Sequence, residues 1–160
     1  MSLVTPQIRA IAEICYGDAI CQEQIKLQLE KMGLPNGLLP VKDIEECGYV
    51  KDTGFVWIRQ KKPSKNNNEK IGKISSYATE ITGYMEKFKI KKLTGVKSKE
   101  LLIWIQLTEA SINDQSTDKI TFWTSSGIHK SYPVSAFQVD DEKKNVESEC
   151  VVKDAQVKEI

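Results

Sequence analysis

Beyond Gly33-Leu34-Pro35 the chain reads as a series of short strand-forming segments, with turn residues between them and no helical stretch to serve as a crossover. That spacing constrains the fold more than any other feature. Parallel neighbours need connections of about a dozen residues or more, whereas antiparallel neighbours need only a turn. The predicted segments are Glu45–Val50 and Phe55–Lys61 around Asp52-Thr53-Gly54, then Ile71–Tyr77, Thr79–Glu86 and Lys87–Leu93. Residues 100–111, 119–124, 128–132 and 133–139 complete the series. Pro63 to Asn68 reads as a polar loop, and Thr94-Gly95-Val96 and Ser125-Ser126-Gly127 read as turns. From Leu101 to Leu107 both alternating sets are largely apolar, which predicts a central strand covered on both faces.

Ahead of Gly33 the pattern is helical. Thr5 can cap, Pro6 suits the first helical position, and Ile8, Ile11 and Cys15 recur at helical spacing. Gly17-Asp18 interrupts, after which Cys21, Ile25, Leu29 and Met32 form one apolar stripe. Gly33 permits a left-handed cap and Pro35 prevents continuation. Two helices, or one kinked helix, are predicted over residues 6–32, with the stripe covering one face of the sheet. The expected class is α+β: an N-terminal helix or helix pair packed on a strongly twisted antiparallel sheet or flattened barrel. The expected organisation is a helical segment over 1–33, a β domain over 34–139 forming one fold with it, and an acidic flexible tail over 140–160.

A chain of 160 residues can bury roughly 68–70% of its unfolded surface, enough to fold without disulfides or metal. Cys15, Cys21, Cys47 and Cys150 include no C-x-x-C pair, and the single His129 completes no zinc spacing. Free thiols in a reducing compartment are therefore expected, with no metal and no cofactor. The opening Met-Ser-Leu-Val-Thr-Pro has no basic region leading into an apolar block, and Ser2 stands where myristoylation needs glycine. No apolar run approaches the ~18 residues of a membrane span. The expected location is cytoplasmic, with membrane contact only at the periphery.

The net charge of +1 hides an uneven distribution, because residues 59–99 carry 12 basic and 3 acidic side chains, net +9. Lysines along an edge block sheet-to-sheet aggregation. They also attract anionic partners, here a lipid-like small molecule, an anionic membrane surface or an acidic protein. Nucleic acid is disfavoured, since Phe88 alternates inward with Ile90 and offers no stacking platform.

Enzyme signatures are poor: no G-x-S-x-G elbow, H-E-x-x-H helix or phosphate-binding glycine loop appears. Any Ser–His or Cys–His mechanism must use His129, which comes after Ser125-Ser126-Gly127 at a predicted hairpin tip. The residues favour a non-enzymatic binding protein. The alternatives are an ester hydrolase and a protein-interaction adaptor with no small ligand. Trp57, Tyr84, Phe88, Trp104 and Phe122 all fall on predicted strands and either fill an ordinary core or line one apolar interior. In the second case an acyl chain would lie against them, with its anionic head near Lys61, Lys62 or Lys65.

The run Gly33-Leu34-Pro35-Asn36-Gly37-Leu38-Leu39-Pro40 resembles the G-L-P-x-G-L-L-P signature of the plant family known as Domain of Unknown Function 538. Leu93 to Lys97, Lys99 to Trp104 and Ser131 to Phe137 resemble further segments of that family, in the same order, over about residues 24–139. Tyr16-Gly17-Asp18 and Ile20-Cys21 resemble its branch named for "smaller with variable branches", a trichome- and stress-related group. The resemblance implies a fold similar to the lipid-binding modules of bactericidal/permeability-increasing protein, a strongly twisted antiparallel sheet around a helix. It also implies lipid-like or chlorophyll-like ligands, or esterase activity on such molecules, with no catalytic motif carried to particular positions.

Overall fold

In the computed structural model, which describes residues 2–113, 116–139 and 150–152, the N-terminus is not continuously helical. Helix α1 spans Pro6–Ile11, and the hydroxyl of Thr5 accepts from the Ile8 N–H at 3.2 Å. Strand β1 then runs over Glu13–Tyr16, and helix α2 over Asp18–Lys31. The expected helix pair is thus split by a strand. Ile14 and Cys15 satisfy either period, and backbone pairing with a neighbouring strand decides between them. Helix α2 keeps to its predicted stripe. Cys21 and Leu29 are fully buried, with Ile25 and Met32 packed beside them. It ends in a Schellman motif: Gly33 at φ 78 donates to Glu30 O and Leu34 to Leu29 O.

The remaining strands are β2 Ile44–Val50, β3 Phe55–Gln60, β4 Ser64–Asn68, β5 Lys73–Glu86 and β6 Lys89–Glu100. After them come β7 Ile103–Asn113, β8 Ser116–Thr124, β9 His129–Pro133 and β10 Cys150–Val152. A short 3-10 turn occupies Val134–Phe137. All pairings are antiparallel, in the order β10-β1-β2-β3-β5-β6-β7-β8-β9, with β4 attached to β5. The sheet is open and twisted, more sheet-rich than the α+β expectation, with β10 and β9 at its edges.

Several boundaries differ from expectation, each for a physical reason. The asparagine-rich segment is strand β4, because its backbone finds a partner in β5. The two segments predicted over 71–86 are one long strand. The turn expected at Thr94-Gly95-Val96 instead lies inside β6, where the register is irregular: residues 78–81 of β5 stand opposite Gly95, which sits at φ 82. Leu101 and Leu102 form a two-residue hairpin turn and stand in solvent. Beyond them β7 buries Leu107, Ala110 and Ile112 while Trp104 lies beside Lys65 and Lys99, so the strand expected to be covered on both faces is covered on one. The tail over 140–160 lies outside the described residues except for β10.

Alternation divides the side chains between two faces. One face carries Cys15, Cys47, Ile58 and Ile81 and is covered by α2 and the 34–41 segment. The other carries Ile14, Gly48 and Trp57 and is covered by α1. The thiol expectation holds for Cys21 and Cys47, which are free and buried. Cys15 is disulfide-bonded, a correction that only long-range pairing supplies, since β1 opposes β10 with Cys15 in register with Cys150. No helix among the described residues is long and apolar enough to cross a membrane.

Candidate ligand cavity

Where the sheet continues past α2, its concave face encloses a cavity of about 450 Å³. Small-molecule sites generally span ~300–1,000 Å³. Leu93 and Val96 of β6, Leu107 and Ala110 of β7 and Phe122 of β8 form its walls, with Leu38, Leu39 and Phe137 at one side. Phe137 packs on Phe122 with ring centroids 5.2 Å apart, and Tyr132 stands 6.0 Å from Phe122.

The 33–40 segment owes its shape to close backbone approach. Gly37 donates to Phe137 O at 2.8 Å, and a Cβ at Gly37 would overlap that same carbonyl. Asn36 adds two bonds to the backbone of Val139, donating from Nδ2 and accepting at Oδ1. Asn68 of β4 donates to Ala136 O at 3.0 Å. These bonds hold Leu38, Leu39 and Phe137 together as one wall.

Polar groups concentrate at the mouth. Glu100 accepts from Lys73 at 2.7 Å and from Lys130 at 2.6 Å, leaving two cations for one carboxylate. Burial pushes the Glu100 carboxyl up, but the hydrogen bonds from Lys130 and Lys73 outweigh it and hold the group below its ordinary range. Deeper in, burial pushes the Tyr77 phenol up to about 12, so it stays neutral and keeps its O–H. An apolar chamber with a net positive rim suits an amphipathic molecule carrying an anionic head.

Of the residues singled out in the sequence, Phe122 lines this cavity and the others lie elsewhere. Trp57 is 1% exposed on the opposite face, where Nε1 donates to Glu46 at 2.8 Å and the Arg9 guanidinium lies 5.8 Å from the ring. Burial pushes the Glu46 carboxyl up, yet the Arg9 and Trp57 hydrogen bonds prevail and lower it. Tyr84 joins that second cluster, edge-on to Phe55 at 5.2 Å. Phe88 sits in the β5–β6 turn at φ 63, packs on Gly33 and donates its N–H to Met32 O, closing the end of α2. Trp104 lies between Lys65 and Lys99, whose ammonium groups stand 5.4 and 5.8 Å from its ring. Lys61 and Lys62 are exposed beyond β3.

The sequence reading missed Tyr77, Tyr132, Phe137, Lys73, Glu100 and Lys130. The available signal was the four motif-bearing segments, because each supplies cavity wall: Leu38 and Leu39, Leu93 and Val96, Glu100 and Leu101, Tyr132 and Phe137. His129 pairs with Trp123, their rings 4.2 Å apart. Phe122 faces the cavity, so its neighbour Trp123, with His129 opposite, belongs to the other face. Among the described residues, no group of three or more His, Cys, Asp or Glu is placed to hold a metal ion.

No curated protein and no solved structure shows significant similarity to this chain. The profile of a family described as "Protein of unknown function, DUF538" matches residues 25–138, well over half the chain and the region that builds the cavity, and the chain belongs to that family.

Proposed function

We propose that this protein binds an amphipathic, lipid-like small molecule in the cavity and catalyses no reaction on it. The observation that carries this reading is convergence: four separated segments, which bear the family resemblance, meet around one apolar chamber. A packed core would leave no such space, since interiors fill to crystal-like density. Burying ten methylenes is favourable by roughly 8 kcal/mol before binding costs, whereas an exposed lysine adds ~1 kcal/mol at most. Apolar contact therefore sets affinity, and Lys73 and Lys130 orient an anionic head. Binding is favoured over ester hydrolysis because the single histidine lies on the face away from the chamber. The helix α2 against a twisted antiparallel sheet supports an architecture like the lipid-binding modules of bactericidal/permeability-increasing protein. The resemblance of residues 16–21 to the "smaller with variable branches" group supports a plant stress or developmental setting, in the cytoplasm.

The test is titration with dodecanoate, monitored by calorimetry, on the wild type and on Ala110→Trp and Ser98→Phe, which fill the chamber from two walls. Saturable binding is expected for the wild type and at least tenfold weaker binding for both variants, with folding confirmed by circular dichroism. Native mass spectrometry of protein from its source should show a retained small molecule. A wild type that binds neither dodecanoate nor any retained molecule overturns the reading in favour of an adaptor.

A further inference from the structure

We infer that the end of the sheet at the β6–β7 turn is a docking tip for anionic lipid bilayers. Leu101, Leu102 and Ile103 are consecutive and 93%, 88% and 65% exposed. Ile128, in the β8–β9 turn at the same end, is 60% exposed. The β7–β8 register ends at Leu107 and Thr124, with the Ser125 N–H donating to Gln106 O, so Leu101 to Ile103 lie beyond the last β7–β8 pair. Side chains this exposed bury little apolar area on folding.

The backbone adds an independent sign. Leu101 adopts φ 60 in a two-residue turn, a conformation that glycine, asparagine or aspartate takes with little strain and leucine does not. The position therefore costs conformational energy and hydrophobic exposure together, and strain of this kind collects at functional sites.

The surroundings identify the partner by chemistry. On the outer face Trp104 lies between Lys65 and Lys99, and register places Lys97 on the same face as Lys65. Lys70, Lys73 and Lys130 stand on adjoining turns and strand ends, beside the two carboxylates of Glu69 and Glu100. Six lysines facing two carboxylates repel a second copy of this tip and complement an anionic headgroup layer. A tryptophan behind the leucines, flanked by lysines, is suited to the interface between headgroups and acyl chains. Leu101 and Ile128 also line the cavity mouth, so docking brings the chamber to the bilayer surface.

This surface stands apart from the nature of the cavity ligand, and the experiment keeps the two separate. Vesicles of phosphatidylcholine with phosphatidylserine, and of phosphatidylcholine alone, are sedimented with the wild type and three variants. Wild type is expected to bind the anionic vesicles and to release with salt. Leu101→Asp/Leu102→Asp should bind at least tenfold more weakly while melting no lower, because both sites are exposed and aspartate accepts the left-handed backbone. Lys65→Ala/Lys97→Ala/Lys99→Ala should bind tenfold to a hundredfold more weakly at low salt, with a shallower salt dependence. The chamber-filling Ala110→Trp should bind vesicles as the wild type does. The inference is overturned if the wild type ignores anionic vesicles, if the leucine variant binds undiminished, or if Ala110→Trp loses vesicle binding as the leucine variant does. It is equally overturned if Leu101→Asp/Leu102→Asp turns an oligomer into a monomer without changing vesicle binding, which would make the tip a self-association surface.

Discussion

Replacing Gly48 with alanine tests the second core cluster at its tightest point. Gly48 of β2 lies opposite Trp57 of β3, and the six-membered ring of the indole rests directly on its Cα. A Cβ there would overlap Cη2, Cζ2 and Cζ3 of Trp57, far inside ordinary contact distance. The ring must retreat by about 1 Å to recover normal separation. It has nowhere to go, because Phe55, Ile14 and α1 enclose it and Nε1 is held by Glu46 at 2.8 Å. Overpacking a full core costs ~1–3 kcal/mol, and losing a hydrogen bond to a charged acceptor costs ~1.5–3 kcal/mol. Together they give a destabilisation of about 2.5–6 kcal/mol, which lowers the melting temperature of a chain this size by roughly 5–24 °C. Urea denaturation and calorimetry measure both quantities. Adding Trp57→Phe removes the overlapping atoms, so the double variant should be more stable than the two single effects predict, by over ~1 kcal/mol. Dodecanoate affinity should not change, because Gly48 and Trp57 face away from the chamber. A Gly48→Ala variant within about 0.5 kcal/mol of the wild type would refute the packing argument.

Acid stability should report Glu46 and Glu100 together. Both carboxyls are held below their ordinary range, so each contributes stability that is present above its unfolded pKa and lost as pH falls through the folded value. Glu46→Gln should cost about 1–3 kcal/mol at neutral pH and flatten the loss of stability on acidification, measured by urea denaturation across the carboxylate range. A variant with the wild-type pH slope would show that Glu46 has no part in acid unfolding. The cysteine arrangement gives a count: denatured, unreduced protein should titrate two thiols with a colorimetric disulfide reagent, those of Cys21 and Cys47, and four after reduction. Four thiols before reduction would contradict the bond at Cys15. In the native state both free thiols should react slowly, since each is buried.

Local chemistry was enough to read α2, its stop at Gly33 and the antiparallel character of the chain beyond that glycine. Each depends on residues within a turn or two of one another: a 3.6-residue stripe, a glycine that tolerates positive φ, turns too short for a crossover. The β2–β3 hairpin was legible for the same reason. Strand β1 was not, because Ile14 and Cys15 fit a helix as well as a strand, and β2, thirty residues on, makes the choice. The asparagines of β4 carry no apolar signal at all, and backbone pairing with β5 makes them a strand. Composition likewise marked Trp57, Tyr84 and Trp104 as candidate pocket residues without saying which face each would take. A one-residue change of register moves a side chain from one face to the other. Tertiary register alone sent Trp57 behind the sheet, Trp104 to the outer surface and Phe122 into the chamber. The Lys73–Glu100–Lys130 cluster joins residues 27 and 30 positions apart: β5–β6 pairing sets Lys73 across from Glu100, and Lys130 reaches it from β9, with β7 and β8 between β6 and β9 in the sheet order. The segment from Leu101 to Ile103 shows the same division. Its hydrophobicity was plain in the sequence, and it reads as core until a two-residue turn places it in solvent, where the same apolar surface is available to a membrane.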